Sequence, residues 1–70
     1  MTITIYTSQA CPACEATKAA MKRRGKTYTE VEVTDELRDW LKGRGHSSLP
    51  VVITDTDEWH GVDPRRIRSL

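Results

Sequence analysis

The sequence predicts an α/β fold in which a four-stranded mixed sheet is flanked by three helices in the order βαβαββα. Three observations predict it. Short apolar or alternating runs recur along the chain, segments with helical apolar spacing separate them, and proline, glycine and capping residues stand at the junctions. At 70 residues the chain can fill one core and no more, so residues 1–70 are expected to form a single domain.

The elements follow in order. Met1-Thr2-Ile3-Thr4-Ile5-Tyr6 alternates polar and apolar residues and reads as a first strand; no basic start followed by an apolar run marks it as a targeting segment. After a loop from Thr7 to Ala10, Pro12 suits the first turn of a helix, and Ala13, Thr17, Ala20 and Met21 recur at helical spacing. Gly25 is its expected C-terminal stop. From Tyr28 to Val33 the chain alternates again, with Thr29, Val31 and Val33 on one face, which predicts a half-buried second strand. Leu37, Trp40 and Leu41 form the inward stripe of a short second helix, capped by Thr34 or Asp35 and closed by Gly43 and Gly45.

Val51-Val52-Ile53 is a continuous β-branched run, as a strand covered on both faces requires. The polar turn Asp55-Thr56-Asp57 then predicts a hairpin into a fourth strand at Glu58-Trp59-His60. Asp63-Pro64 is an N-cap followed by proline at the first helical position, and Ile67 and Leu70 supply the apolar stripe of a last helix. A parallel βαβ start with an antiparallel ending places helices on both faces of one sheet, an order similar to thioredoxin-like architecture.

Eleven Lys and Arg stand against ten Asp and Glu, interspersed along the chain, so nothing in the charge points to nucleic acid. Lys22-Arg23-Arg24 falls where the first helix should end, and cations there complement the helix dipole. No run approaches the roughly 18 apolar residues of a membrane span, and a soluble cytoplasmic protein is expected. In a reducing compartment a structural disulfide is uncommon, which leaves Cys11 and Cys14 as metal ligands or as a catalytic pair.

A structural zinc site would need two further ligands. His46 and His60 are the only histidines and lack the close spacing usual in zinc fingers; each is expected on an exposed loop or strand. The redox reading has a stronger physical basis. A cysteine at the start of a helix faces unpaired N–H groups and the positive end of the dipole, which favour its thiolate. Cys14 follows about one turn later, so the two sulfurs can meet without bending the backbone. Cys11 is thus the expected nucleophile and Cys14 the resolving cysteine of a thiol–disulfide exchange. Pro12 and Ala13 between them help set a potential that in such dithiols spans roughly −270 to −120 mV. Pro50 stands at the mouth of the apolar strand, where it breaks no ladder bond.

These residues together resemble the NrdH-type redoxins, glutaredoxin-like proteins of the thioredoxin superfamily. The resemblance runs nearly end to end. It rests on Ile3-Thr4-Ile5-Tyr6-Thr7, the cysteine motif, Ala16-Thr17-Lys18 with Met21 and Arg24-Gly25, Pro50-Val51-Val52, and Trp59 with Gly61, Pro64 and Ile67. It implies a monomeric cytoplasmic electron donor to class Ib ribonucleotide reductase, reduced by thioredoxin reductase at the expense of NADPH, with no bound cofactor beyond its Cys11–Cys14 disulfide. It also implies a cis peptide before Pro50, which would lie beside Cys11, and partner docking at Leu49, with Trp59, Gly61 and Val62 on the neighbouring rim.

Two departures lean toward glutathione-dependent glutaredoxins. Pro12-Ala13 between the cysteines is glutaredoxin-like, and Trp59-His60-Gly61-Val62-Asp63-Pro64 replaces the family's usual Trp-Ser-Gly-Phe-Arg-Pro. Gly61 and Asp63 could then bind glutathione, although Thr7-Ser8-Gln9-Ala10 offers no cation for its carboxylate and Asp63 reads more readily as an N-cap to Pro64. Trp59 has a second reading too, as core packing. An iron–sulfur-binding glutaredoxin-type module is a further alternative.

Overall fold

The computed structural model describes residues 2–70; Met1, placed at the head of the first strand by the alternation, lies outside them. The elements are β1 (Ile3–Thr7), α1 (Pro12–Arg23), β2 (Thr29–Glu32), α2 (Asp35–Gly43), β3 (Val51–Thr54), β4 (Glu58–His60) and α3 (Pro64–Arg68). The strands form one sheet in the order β2-β1-β3-β4, with β1 parallel to β2 and antiparallel to β3, and β3 antiparallel to β4. This is the expected thioredoxin-like arrangement.

Register decides which side chains meet. Ile5 is paired with Val52 and Val52 with Trp59, so these three share one face with Ile3. Met21 of α1 and Ile67 of α3 close over them to make the main core, joined at its margin by Ala20, Tyr28 and Leu70. The opposite face carries Tyr6 and Val51, paired in the ladder, and His60 paired with Val51. Leu41 of α2 and Val51 line one cleft on that side, so the two helix layers enclose β3 as its unbroken apolar run requires.

The helix ends are set by local chemistry. Cys11, Thr34 and Asp63 are the three N-caps, each accepting a backbone N–H three residues on. Helix α2 stops in a Schellman turn: Gly45 donates to the Lys42 carbonyl and His46 to the Leu41 carbonyl, both at 3.0 Å. Gly45 sits at φ 92°, a conformation that a side chain would strain. That turn swings His46 back beneath the helix, where it is only 9% exposed.

His46 is therefore a correction to the expectation of an exposed loop residue. Its Nδ1 lies 2.9 Å from Nδ1 of His60, and its Nε2 meets a Glu58 carboxylate oxygen. Trp40 is a second correction. It is 45% exposed instead of facing inward, lying against Tyr6 with Arg44 over its ring, while Leu41 alone of the predicted stripe is fully buried. Strand β2 is shorter than 28–33 and largely exposed, because it is the outer edge of the sheet; Val31 is its one half-buried residue.

Candidate active site

The loop from β1 delivers Cys11 to the first turn of α1. Ala10, at φ 52°, makes the turn in the left-handed region, an uncommon position for a residue with a side chain. Cys11 then takes extended geometry as the N-cap, and its Sγ accepts the backbone N–H of Cys14 at 3.2 Å. Pro12 occupies the first helical position, where its missing N–H leaves no bond unmade. The two cysteines are joined in a disulfide with their Cα atoms 5.2 Å apart, within the ordinary range for such a bond. One turn of helix therefore supplies the spacing that the motif predicts.

The pair is asymmetric. Cys11 is half-buried, whereas Cys14 has no solvent exposure and faces the sheet with Thr17 and Met21. Only the first sulfur is open to a partner. A thiolate formed there is favoured by the Cys14 N–H, by the other free N–H groups of the first turn and by the helix dipole.

A second segment lies at the same end of the sheet, since Val51 pairs with Tyr6 near the end of β1, ahead of the loop that leads to Cys11. The Leu49–Pro50 peptide is cis, and Pro50 is buried at the entry to β3 while Leu49 is half-buried. Gly61 donates its N–H to the Pro50 carbonyl at 2.8 Å, which ties the end of β4 to this corner. Its φ of 80° suits the glycine found there. Val62, next in the chain, is 48% exposed.

Trp59 does not belong to this rim. It is 5% exposed and packs in the main core opposite Val52, correcting its placement among the partner-binding residues. The reason is register, since Trp59 points to the opposite face of β4 from Glu58 and His60. Asp63 is likewise committed. One of its oxygens accepts the Arg66 backbone N–H at 3.1 Å, and the other pairs with the Arg66 guanidinium at 3.2 Å. It is an N-cap, as one of its two sequence readings has it.

Charge near the cysteine loop is self-paired. Lys18 bridges Glu15 and Glu30 at 2.9 Å each, and these two carboxylates, Glu15 foremost, push its ammonium further into the charged form. Lys18 in turn holds the Glu30 carboxyl below the usual range, with Thr7 donating a further hydrogen bond to it. On the other face, Arg44 first and His46 second pull the Glu58 carboxyl down to about 2. Sequence reasoning missed this Arg44–Glu58–His46–His60 group. Glu58 and His60 two places apart, on one face of a strand that pairs with β3, were its only local signal.

The sequence matches the glutaredoxin family across residues 3–59. It is 39% identical over its whole length to the glutaredoxin-like protein NrdH of Salmonella typhimurium, covering 89% of that protein. The solved structure of the NrdH-redoxin of Escherichia coli superposes with a TM-score of 0.95 at 40% identity, covering all of this chain and 95% of that one.

The chain belongs to the glutaredoxin family, as an NrdH-type redoxin. Glutaredoxin 3 of Escherichia coli stands further off, at 25% identity over 87% of this chain and 77% of its own length. NrdH-type redoxins are thiol–disulfide oxidoreductases, and a half-buried cysteine one turn from a wholly buried one at the head of α1 is an arrangement suited to such chemistry. Among the described residues no helix is long and apolar enough to cross a membrane, and no group of three or more His, Cys, Asp or Glu is disposed to hold a metal ion.

Proposed function

We propose that the chain is a dithiol electron carrier that takes electrons from thioredoxin reductase and delivers them to class Ib ribonucleotide reductase. The observation that carries the reading is the unequal exposure of the two sulfurs on one helical turn. The Cys11 thiolate attacks a client disulfide, forming a mixed disulfide and expelling one client thiolate, which takes up a proton. Cys14 then gives up its proton and attacks the Cys11 sulfur, expelling the second client thiolate and closing the Cys11–Cys14 bond. Two electrons pass to the client. Pro12 and Ala13 shape the helix start, and Pro50 bounds the site on its other side. The reversible disulfide is the sole redox group; the protein works as a monomer in the cytoplasm.

The charges support this choice of reductant. Glutathione is small and anionic and needs several charged contacts. Lys18 is held by two carboxylates and Asp63 by Arg66, so neither is free to supply them. A protein partner can dock instead through apolar contact and backbone pairing at Leu49, Pro50, Gly61 and Val62. The Escherichia coli NrdH-redoxin, 40% identical, is itself described by a thioredoxin-like activity profile.

The test is NADPH consumption by thioredoxin reductase with insulin as the disulfide sink, run beside a glutathione and glutathione reductase assay. Faster turnover by the reductase is expected, and Val62→Phe should raise it further by restoring apolar contact worth roughly 1–3 kcal/mol when fully buried. A clear preference for glutathione would overturn the proposal.

A further inference from the structure

Thr17 is wholly buried on the inner face of α1, and its hydroxyl has no hydrogen-bond partner. A threonine inside a helix ordinarily turns its hydroxyl back to a carbonyl three or four residues earlier. Here that bond is not made. An orphaned hydroxyl in a core costs free energy, and such a group calls for an explanation.

Its position supplies one. Thr17 follows Cys14 by three residues, so the two share a helix face, and helical side chains lean toward the N-terminus over the preceding turn. Cys14 is as fully enclosed as Thr17. In the disulfide, the Cys14 sulfur is bonded to Cys11 and is a poor acceptor. When the bond is broken, Cys14 gains a thiol hydrogen and then, in the resolving step, a full negative charge. That anion would form on a side chain that is wholly buried in the disulfide form, and burying an unpaired charge is far more costly than burying an unpaired hydroxyl.

We infer that the Thr17 hydroxyl is a positioning group for the resolving step, unpartnered in the disulfide form and donating its hydrogen bond to the Cys14 sulfur in the dithiol and mixed-disulfide forms. The hydroxyl transfers no proton. The Cys14 proton leaves to solvent or to the departing client thiolate, while the Thr17 O–H stabilises the charge left behind and orients the sulfur toward Cys11. The inference rests on Cys14 being the resolving cysteine.

The probe is a mixed disulfide of Cys11 with thionitrobenzoate, whose coloured thiolate is released when Cys14 attacks. Thr17→Val removes the hydroxyl and keeps the shape; Thr17→Ser keeps the hydroxyl. Release from Thr17→Val should be about tenfold slower, with its pH profile displaced upward, and Thr17→Ser should return both to within about twofold of wild type. The dithiol–disulfide equilibrium should move about tenfold toward the disulfide in Thr17→Val, a potential about 30 mV more negative. Thermal stability should move in opposite directions, up in the disulfide form and down in the dithiol form. A merely structural threonine would shift both forms alike and leave the pH profile in place, and that result would overturn the inference.

Should Thr17→Val not fold, the wild-type protein gives the answer by NMR. The Thr17 hydroxyl proton should shift downfield on reduction of the disulfide, and an unchanged resonance counts against the inference. If wild type itself releases no thionitrobenzoate, the assignment of Cys14 fails; if wild type and Thr17→Val release it equally, only the role of Thr17 fails.

Discussion

Replacing Glu58 by Gln tests the polar group that fastens α2 to β4. Glu58 receives Arg44 through both carboxylate oxygens, at 3.0 and 2.5 Å, and also meets His46. Its carboxyl falls from the ordinary 4.5 to about 2, with Arg44 as the larger cause. Unscreened, a change of that size corresponds to roughly 3 kcal/mol of folding stability. The Arg44 side chain is 43% exposed and that of Glu58 24%, so solvent reduces the contribution to about 1–2 kcal/mol. A depressed carboxyl stabilises the fold above its unfolded value, and that stability drains away as pH falls from about 4.5 toward 2. At pH 7, then, Glu58→Gln should melt roughly 5–15 °C below wild type. The gap should narrow through pH 4 and 3 and nearly close at pH 2. Circular dichroism melts across that range, with Arg44→Gln and the double variant to isolate the pair, make the measurement. Equal melting temperatures at pH 7, or a gap that does not change with pH, would refute the reasoning.

Three other outcomes are expected. Cys14→Ser should accumulate a mixed disulfide with a client, and Cys11→Ser should form none, since only Cys11 is accessible; non-reducing gels with mass spectrometry distinguish them. Trp59→Ala should cost about 3–5 kcal/mol and leave so small a domain largely unfolded by urea titration, as a core tryptophan requires and an exposed docking residue does not. Ala10→Val should cost about 1–2 kcal/mol, because a β-branched side chain tolerates the left-handed turn poorly, whereas Ala10→Gly should leave stability level or slightly higher by the same titration.

What could be read from the sequence was whatever depends on chain neighbours. The alternation of Ile3 and Ile5, the Cys11–Pro12 start of α1, the Asp63–Pro64 start of α3 and the β-branched run of β3 each encode their element within a few residues. The cysteine spacing encodes its geometry for the same reason. Trp59 was ambiguous because β4 has only three residues, too few for alternation to show a face; its pairing with Val52, seven positions away, settles the matter. His46 was misplaced because its burial depends on the Schellman turn carrying it under α2, and on Glu58 and His60 arriving from a strand that follows. Trp40 matched a helical stripe, but the stripe is wider than the contact that α2 makes, and the indole rests on Tyr6 at its flank. In β2 the pattern was sound and the depth was not, since alternation cannot tell an edge from an interior strand.

That edge has a bearing on how such a carrier can live at high concentration. Strand β2 leaves one row of backbone groups without a neighbour, the template on which chains add to one another and polymerise. Glu30 and Glu32 stand on it, both exposed. A second copy laid alongside through its own β2 would bring four carboxylates together at a strand spacing of about 4.7–4.9 Å, offset only in part by Lys18 and Lys22 of each copy. The repulsion is self-directed, because it arises only when like meets like. The molecule therefore discourages association with itself at the edge of its sheet, while the end that bears Cys11 stays open to a disulfide of another kind.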